Sequence, residues 1–334
     1  MDISRRQRMI LAAVVALNEE SGDPVGSKLL QEALTQISVS SATLRNEMSA
    51  LTDLGLLMQP HTSAGRLPTA QGIRFYIDNL MELDPLDENE KRSLTKAVRS
   101  LDADPYKATQ QVARILSELF GLEVVAATPK ADNATVVHFK VLQAGLHNLA
   151  VVGVTSTGTV SSAMCRIEGN TGEYDLGKME DILNSCFVFV YAQDIDRVCE
   201  EKGFSQSSDV MKPVLDAAKG IIKGATEVQV FSDGLEYLLA YNDLDEYASD
   251  IIRLVSDRKQ IRRLVEGISG DVRVLVGDEL GLENLNMLGF VAAPYKIGGG
   301  QKGGVGVLGP IRMDYSYIIP RLHYFCSSIE KNIA

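Results

Sequence analysis

The sequence has no apolar run approaching the ~18 residues that a membrane-crossing helix needs, so it carries no candidate span. Cysteine is scarce: Cys165, Cys186, Cys199 and Cys326 are scattered, without a C-x-x-C pair. That scatter excludes zinc-ribbon and dithiol redox chemistry and leaves reduced core thiols as the expectation. Catalytic signatures are missing as well. There is no H-E-x-x-H helix, no nucleophile elbow and no paired His-Asp arrangement. His138 and His147 flank one hairpin and read as ordinary strand histidines. No enzyme, metal or cofactor is expected. The opening "MDISRRQRMILAAVVAL" has the basic start and apolar stretch of a signal peptide, but Asn18, Glu19 and Glu20 follow where small cleavage-site residues belong. A cytoplasmic protein is the expectation.

What is present suits a soluble chain of two or three domains: 334 residues, 45% hydrophobic and 23% charged. The formal net charge of -11 is unevenly placed. Residues 1–76 hold seven Lys and Arg against seven Asp and Glu, and the rest holds 26 against 37. The front segment is neutral, so a polyanion can approach one end only.

That front segment has a readable order. Ile10, Val14 and Leu17 repeat with helical spacing after Ser4, and "SGDPVG" stops the helix. A second helix starts near Ser27, a plausible N-cap, with Lys28 beside it. Ser40 or Ser41 caps a third, "SATLRNEMSALTDLG", which ends at Gly55. Leu44, Met48 and Leu51 form its buried stripe, and Ala42, Thr43, Arg45, Asn46 and Ser49 face solvent. A short strand "LLMQ", a polar tip, the return "RLPT" and a helix from Thr69 follow. Helices followed by a hairpin predict a winged helix-turn-helix. Its third helix would enter the major groove of DNA, where Arg45 and Asn46 have the donors to read base edges, with Ser41 and Thr43 in the first turn near a phosphate. His61, Thr62, Ser63 and Arg66 would be wing donors beside the backbone or the minor groove, with Gly65 allowing a tight turn. Arg5, Arg6 and Arg8 oppose the dipole of the first helix and so call for another partner.

The segments "DPVGSKLL", "SSATLRNEMSALTDLGLL" and "QPHTSAGRLPTAQGIRFYIDNLM" resemble the N-terminal signature of the heat-inducible transcription repressor family, HrcA. "YKIGGGQKGGVGVLGPIRMDYS" resembles its second, C-terminal signature. In "VFSDGLEYLLAYNDLDEY" the chain departs from the family: Tyr237 stands for an Asn, and Asn242, Asp243 and Leu244 for Pro-Glu-Phe. The resemblance implies a homodimeric repressor on an inverted-repeat operator of double-stranded DNA before chaperone operons, kept active by the chaperonin GroEL. It further implies a GAF-like domain interrupted by a dimerisation domain.

Behind the front segment, Pro85 marks a boundary and Val137, Phe139 and Val141 begin an antiparallel meander. Helices fill most of 176–267, broken by "EVQVF", and strands return with "VRVLVG", "MLGFVAAPY" and "VGVLGPIRM". The expected class is α+β and multi-domain: winged helix 1–76, linker helix region 77–105, GAF-like parts 106–170 and 268–334, and an inserted dimerisation domain 171–267. "GGGQKGGVGVLGP" matches G-x-G-x-x-G at Gly304, Gly306 and Gly309, but Pro310 sits where a phosphate-binding helix would run, and "KGGVG" lacks the Lys and Ser or Thr of a P-loop. Glycines in a flexible loop between strands are the expectation. The leading reading is a DNA-binding repressor. Its rivals are a regulator that senses a small molecule in the GAF-like domain, and a nucleotide-using enzyme.

Overall fold

The computed structural model describes residues 3–35, 39–61, 64–204, 209–266, 268, 270–297 and 301–333. It is a mixed α+β structure. Helices α1 (Arg5–Ser21), α2 (Ser27–Ala33) and α3 (Ser41–Asp53) lead into a two-stranded ribbon, β1 (Leu57–Met58) and β2 (Leu67–Pro68), and then α4 (Ala70–Asn79). Local chemistry sets these bounds. Ser4 and Gln7 form a capping box on α1, and Gly22 ends it in the left-handed conformation at φ 75°. Thr69 caps α4, its hydroxyl accepting from Gly72 N at 3.0 Å. Ile10, Leu11, Val14, Leu30, Leu44, Leu51 and Ile73 close the core of this head.

The head is continuous with the body's core. After it come α5 (Glu88–Arg99), capped by Asp87, and α6 (Pro105–Phe120). Leu94 and Val98 of α5 are buried in the same cluster as Leu322, Phe325 and Ile329 of the last helix, α13 (Tyr315–Ile333). The expected linker helix is therefore packed along its length. Its apolar stripe had no other visible partner in the sequence.

Among the described residues the central sheet has the order β7-β3-β10-β9-β8, every pairing antiparallel: β3 Glu123–Ala127, β7 Val230–Asp233, β8 Arg273–Val276, β9 Leu288–Ile297 and β10 Gln301–Pro310. Alternation sends Val124 and Ala126 toward the cluster formed with α6 and α13. Val125 and Ala127 face the other way, with α10 (Leu235–Leu238), α11 (Ala248–Ser256) and α12 (Arg258–Val265).

Between β3 and β7 the chain leaves this sheet. It forms a second one, β4 (Val136–Gln143), β5 (Asn148–Thr155) and β6 (Val160–Arg166), covered on one face by α7 (Leu176–Phe187), α8 (Ile195–Glu201) and α9 (Met211–Gly224). Phe139, Val141, Leu149, Val151 and Cys165 pack there on Leu183, Phe187 and Ile222. The excursion opens and closes at reciprocal bonds: Thr128 N donates to Gln229 O and Gln229 N to Thr128 Oγ1, each at 2.9 Å. This differs from the expected boundary at residue 171. The meander shares a core with the helices that follow it, while residues 230–265 return to the central sheet.

The glycine-rich run differs from expectation at its start, where the strand read from Val305 already begins at Gln301. Gly298, Gly299 and Gly300 lie outside the described residues, but from Gln301 onward the run is strand β10, paired on one side with β3 and on the other with β9. Its glycines make room. A Cβ on Gly304 would stand 2.1 Å from Val265 O, and one on Gly306 2.0 Å from the Phe290 ring. No described helix is long and apolar enough to cross a membrane.

Candidate nucleic-acid interface

Helix α3 begins at a cap. Ser40 Oγ accepts from Thr43 N at 3.2 Å and lies 3.0 Å from Thr43 Oγ1, so Ser40 is the N-cap and Ser41 the first helical residue. The hydroxyl of Ser41 lies 2.9 Å from that of Ser27 and ties the starts of α3 and α2 together. Ser27 is not a cap, because Gly26 holds that position in α2 without a side-chain bond. Burial of Leu44, Met48 and Leu51 turns the opposite side of α3 outward. Arg45 and Asn46 are exposed there, with no hydrogen bond or ion pair among the described residues, and Ala42 and Ser49 flank them. Thr43 is half-buried. Lys28, exposed on α2, and Arg5, exposed at the start of α1, complete the polar surface of the helices.

The ribbon stands beside α3. His61 is exposed near its tip, and Thr62 and Ser63 lie outside the described residues. Arg66 is not at the tip. It is half-buried, its backbone bridges to Val25, and its Nε donates to Thr52 Oγ1 on α3 at 3.0 Å. The side chain therefore braces the ribbon against the helix. Gly65 serves a different purpose from the expected tight turn. A Cβ there would stand 2.4 Å from the backbone of Val25, so glycine lets the ribbon touch the loop between α1 and α2.

The basic start of α1 is partly used inside the fold. Arg6 Nη1 pairs with Glu47 of α3 at 3.2 Å, and Arg8 Nε donates to Ile3 O at 3.2 Å. Sequence reasoning did not anticipate the Arg6 to Glu47 pair or the Thr52 brace. The only available signal was that Glu47 and Thr52 fall on the flanks of the α3 stripe, next to the apolar positions. What this surface offers chemically is a set of donors on one helix and the adjoining ribbon, carried by a module without net charge. The described residues contain no group of His, Cys, Asp or Glu that could hold a metal ion.

Comparison with known proteins agrees with the two sequence signatures. Residues 107–319 match the family model of the HrcA protein C terminal domain. The heat-inducible transcription repressor HrcA of Syntrophobacter fumaroxidans is 31% identical, over 97% of this chain and 95% of that protein. The repressor of the same name from Lachnoclostridium phytofermentans is 30% identical over 99% and 97%, and that of Brevibacillus brevis 30% over 98% and 97%. A crystal structure of a hypothetical protein matches 98% of this chain and 100% of its own, at 25% identity and a TM-score of 0.67. The chain belongs to the family of the heat-inducible transcription repressor HrcA.

Proposed function

We propose that residues 1–76 form a winged helix-turn-helix that reads duplex DNA, and that the chain is a cytoplasmic repressor of heat-inducible genes. As a member of a repressor family it is not an enzyme. One observation carries the DNA reading: Arg45 and Asn46 stand exposed and unpartnered on the helix beside the ribbon, on the face opposite the buried Leu44, Met48 and Leu51. Arg45 suits guanine N7 and O6, and Asn46 suits adenine N6 and N7. Ser27, Lys28, Ser41 and Thr43 suit the phosphates at the two helix starts. His61, Thr62, Ser63 and Arg66 are the wing contacts, and Arg5 meets a flanking phosphate.

A neutral module neutralises few phosphates, so one copy binds weakly. Two copies joined in a homodimer gain through effective concentration and require an inverted repeat. The excursion between β3 and β7 has a surface for that purpose. The face of its sheet opposite α7 and α9 is uncovered, and there Leu142, Ala150 and Met164 are register neighbours, with Val160 exposed beyond them. Pairing of two such faces is the proposed dimer contact, and Met164→Glu should shift the sedimentation of the full chain toward monomer. Family membership supports GroEL as a further partner, one that keeps the repressor population active.

The deciding experiment is a titration of full-length protein with duplexes that carry or lack an inverted repeat, at several salt concentrations. Selective binding to the repeat is expected. Equal affinity for all duplexes, or none, overturns the reading. A second reading, ligand sensing, rests on a cavity of about 480 Å³ between the excursion and the central sheet, lined by Tyr106, Thr128, Thr157, Ser161, Ile221 and Ile297. Its lining has no Lys or Arg and one acid, Glu227, so a neutral or cationic molecule suits it better than an anion, and operator affinity that shifts on adding such a molecule would favour this reading.

A further inference from the structure

Beside the apolar core they share, head and body are joined by two arginine clamps, and a third arginine holds the chain just beyond the head. Arg312 is almost buried between β10 and α13. Its Nε and Nη2 donate to Asp243 Oδ2 and Oδ1 at 2.9 and 3.0 Å, while Nη1 donates to Glu19 O, in the last turn of α1, at 2.9 Å. A cation at a helix C-terminus also meets the negative end of the helix dipole. Gly22 makes this possible, because a Cβ there would stand 3.0 Å from Arg312 Nη2. Burial, then the neighbouring Asp314 carboxylate, pushes the Glu19 carboxyl up to about 7, and the Arg312 charge opposes that rise.

Arg74 makes the second contact, from α4. Its Nε donates to Glu279 Oε1 at 2.9 Å, its Nη2 to Glu279 Oε2, and Nη2 also to Val274 O at 2.9 Å. Glu279 is itself fixed, accepting from Val276 N at 3.0 Å. Gly277 lets the first residue of α4 approach, since a Cβ on it would stand 2.8 Å from Ala70 Cβ. The third contact is on the chain just beyond the head. Arg321 of α13 donates from Nε to Glu90 Oε1 at 2.9 Å and from Nη1 to Asp84 O at 3.3 Å, and its guanidinium lies 3.6 Å from the centre of the Tyr317 ring.

Two clamps on the head, at the end of α1 and on the face of α4, with the departing chain held at Asp84, restrain its orientation on the shared core, and planar guanidinium forks define direction as well as distance. In a dimer, the orientation of each head relative to its body sets where the two copies of α3 point. From this we infer that Arg74 and Arg312, with their partners Glu279 and Asp243, are positioning residues that determine which half-site spacing the repressor accepts. The inference rests on the DNA reading above and deepens it: the base-reading groups choose the half-site, and the arginine clamps choose the distance between half-sites.

The test uses the full chain and duplexes holding the best-bound inverted repeat, with the spacer changed one base pair at a time. Each step moves one half-site by ~3.4 Å and rotates it by roughly 35°. Wild type should show one preferred spacing. Glu279→Gln and Asp243→Asn keep side-chain shape, remove the charge that orients each fork and lie on the body rather than the head. Combined, they should leave affinity for a single half-site within about twofold and reduce the advantage of the preferred spacing by roughly tenfold or more, the scale set by lost effective concentration. Arg312→Lys, which keeps charge without the fork, should flatten the profile in the same direction. A spacing profile that both conservative variants leave unchanged overturns the clamp while the DNA reading stands. Wild type that binds single half-sites but accepts all spacings equally overturns it too. Wild type that binds no duplex sinks the DNA reading and this inference with it.

Discussion

Two sets of arginines in this molecule are treated in opposite ways. On the outer face of the head, Arg45 and Arg5 project into solvent with no ion pair or hydrogen bond among the described residues. At the seam, Arg74, Arg312 and Arg321 are each forked onto a carboxylate and also donate to a backbone carbonyl. The same side chain fixes a structure where its donors are satisfied, and offers a contact where they are not. An exposed guanidinium stays solvated and costs the fold little, so an unpaired one is tolerable only at the surface. The same rule reads differently for a buried acid. Glu123, at the first position of β3, is wholly buried, and neither carboxylate oxygen makes a well-formed hydrogen bond, although the Ser232 side chain is close enough to oppose the rise in its pKa. Burial pushes its pKa up to about 8, with Asp233 and Glu236 nearby adding to the rise, so at neutral pH it is held as the uncharged acid.

The largest expected effect tests that last case. The folded value near 8 lies above the ordinary 4.5, so between those limits the folded state keeps a proton that the unfolded chain has released. The stabilising contribution of this one group is then fully present below about pH 4.5, falls as pH rises, and is gone above about 8, for a total of roughly 3–5 kcal/mol. Glu123→Gln, neutral at every pH, should remove this slope in urea unfolding followed from pH 5 to 9. An unchanged slope would mean that the carboxyl finds water or a partner. Next in size is Arg45→Ala, expected to cost about 1–3 kcal/mol of preference for the operator over an unrelated duplex, with no change in thermal stability. Loss of stability in place of selectivity would move Arg45 from the reading set to the fixing set.

The difference between the two sets also marks how far the sequence could be read. Helices α1, α3 and α4 follow from short-range chemistry: apolar spacing, hydroxyl caps at Ser4, Ser40 and Thr69, and glycine after α3. The polar face of α3 is legible for the same reason, since burying Leu44, Met48 and Leu51 leaves Arg45 and Asn46 nowhere else to point. The seam is not legible. Arg74 and Glu279 are 205 residues apart, and Arg312 reaches Glu19 across 293, so no local pattern announces either pair. The membership of the meander was missed on similar grounds. Its alternation gives strands, but which helices cover them is settled by Phe139 and Val151 meeting Leu183 and Ile222. Of glycines 303, 304, 306 and 309, the last two fall in a stretch read as strand and the first two read as the loop before it, because glycine weakens an isolated strand. In the fold they sit mid-sheet, where Val265 O and the Phe290 ring occupy the space a side chain would need.

Arg66 falls between the two sets and gives a finer test of the division. Its Nε is committed to Thr52, which makes it a brace, while the residue remains only half-buried. Thr52→Val removes the acceptor and keeps the arginine. It should cost about 1–2 kcal/mol of stability, because the hydroxyl also donates to Met48 O at 2.9 Å and both hydrogen bonds are lost. If Arg66 also touches the DNA backbone, Arg66→Ala should weaken all duplexes alike and lower the slope of log affinity against log salt by about 1, whereas Thr52→Val should leave that slope alone. Equal DNA-binding losses in the two variants, with the slope unmoved, would place Arg66 wholly among the fixing arginines. The smallest effect is expected at Arg5, where alanine removes one flanking phosphate contact. The slope should fall by about 1 with no change in the ranking of duplexes. A change in ranking would show that the start of α1 reaches base edges, and that the reading surface extends beyond α3.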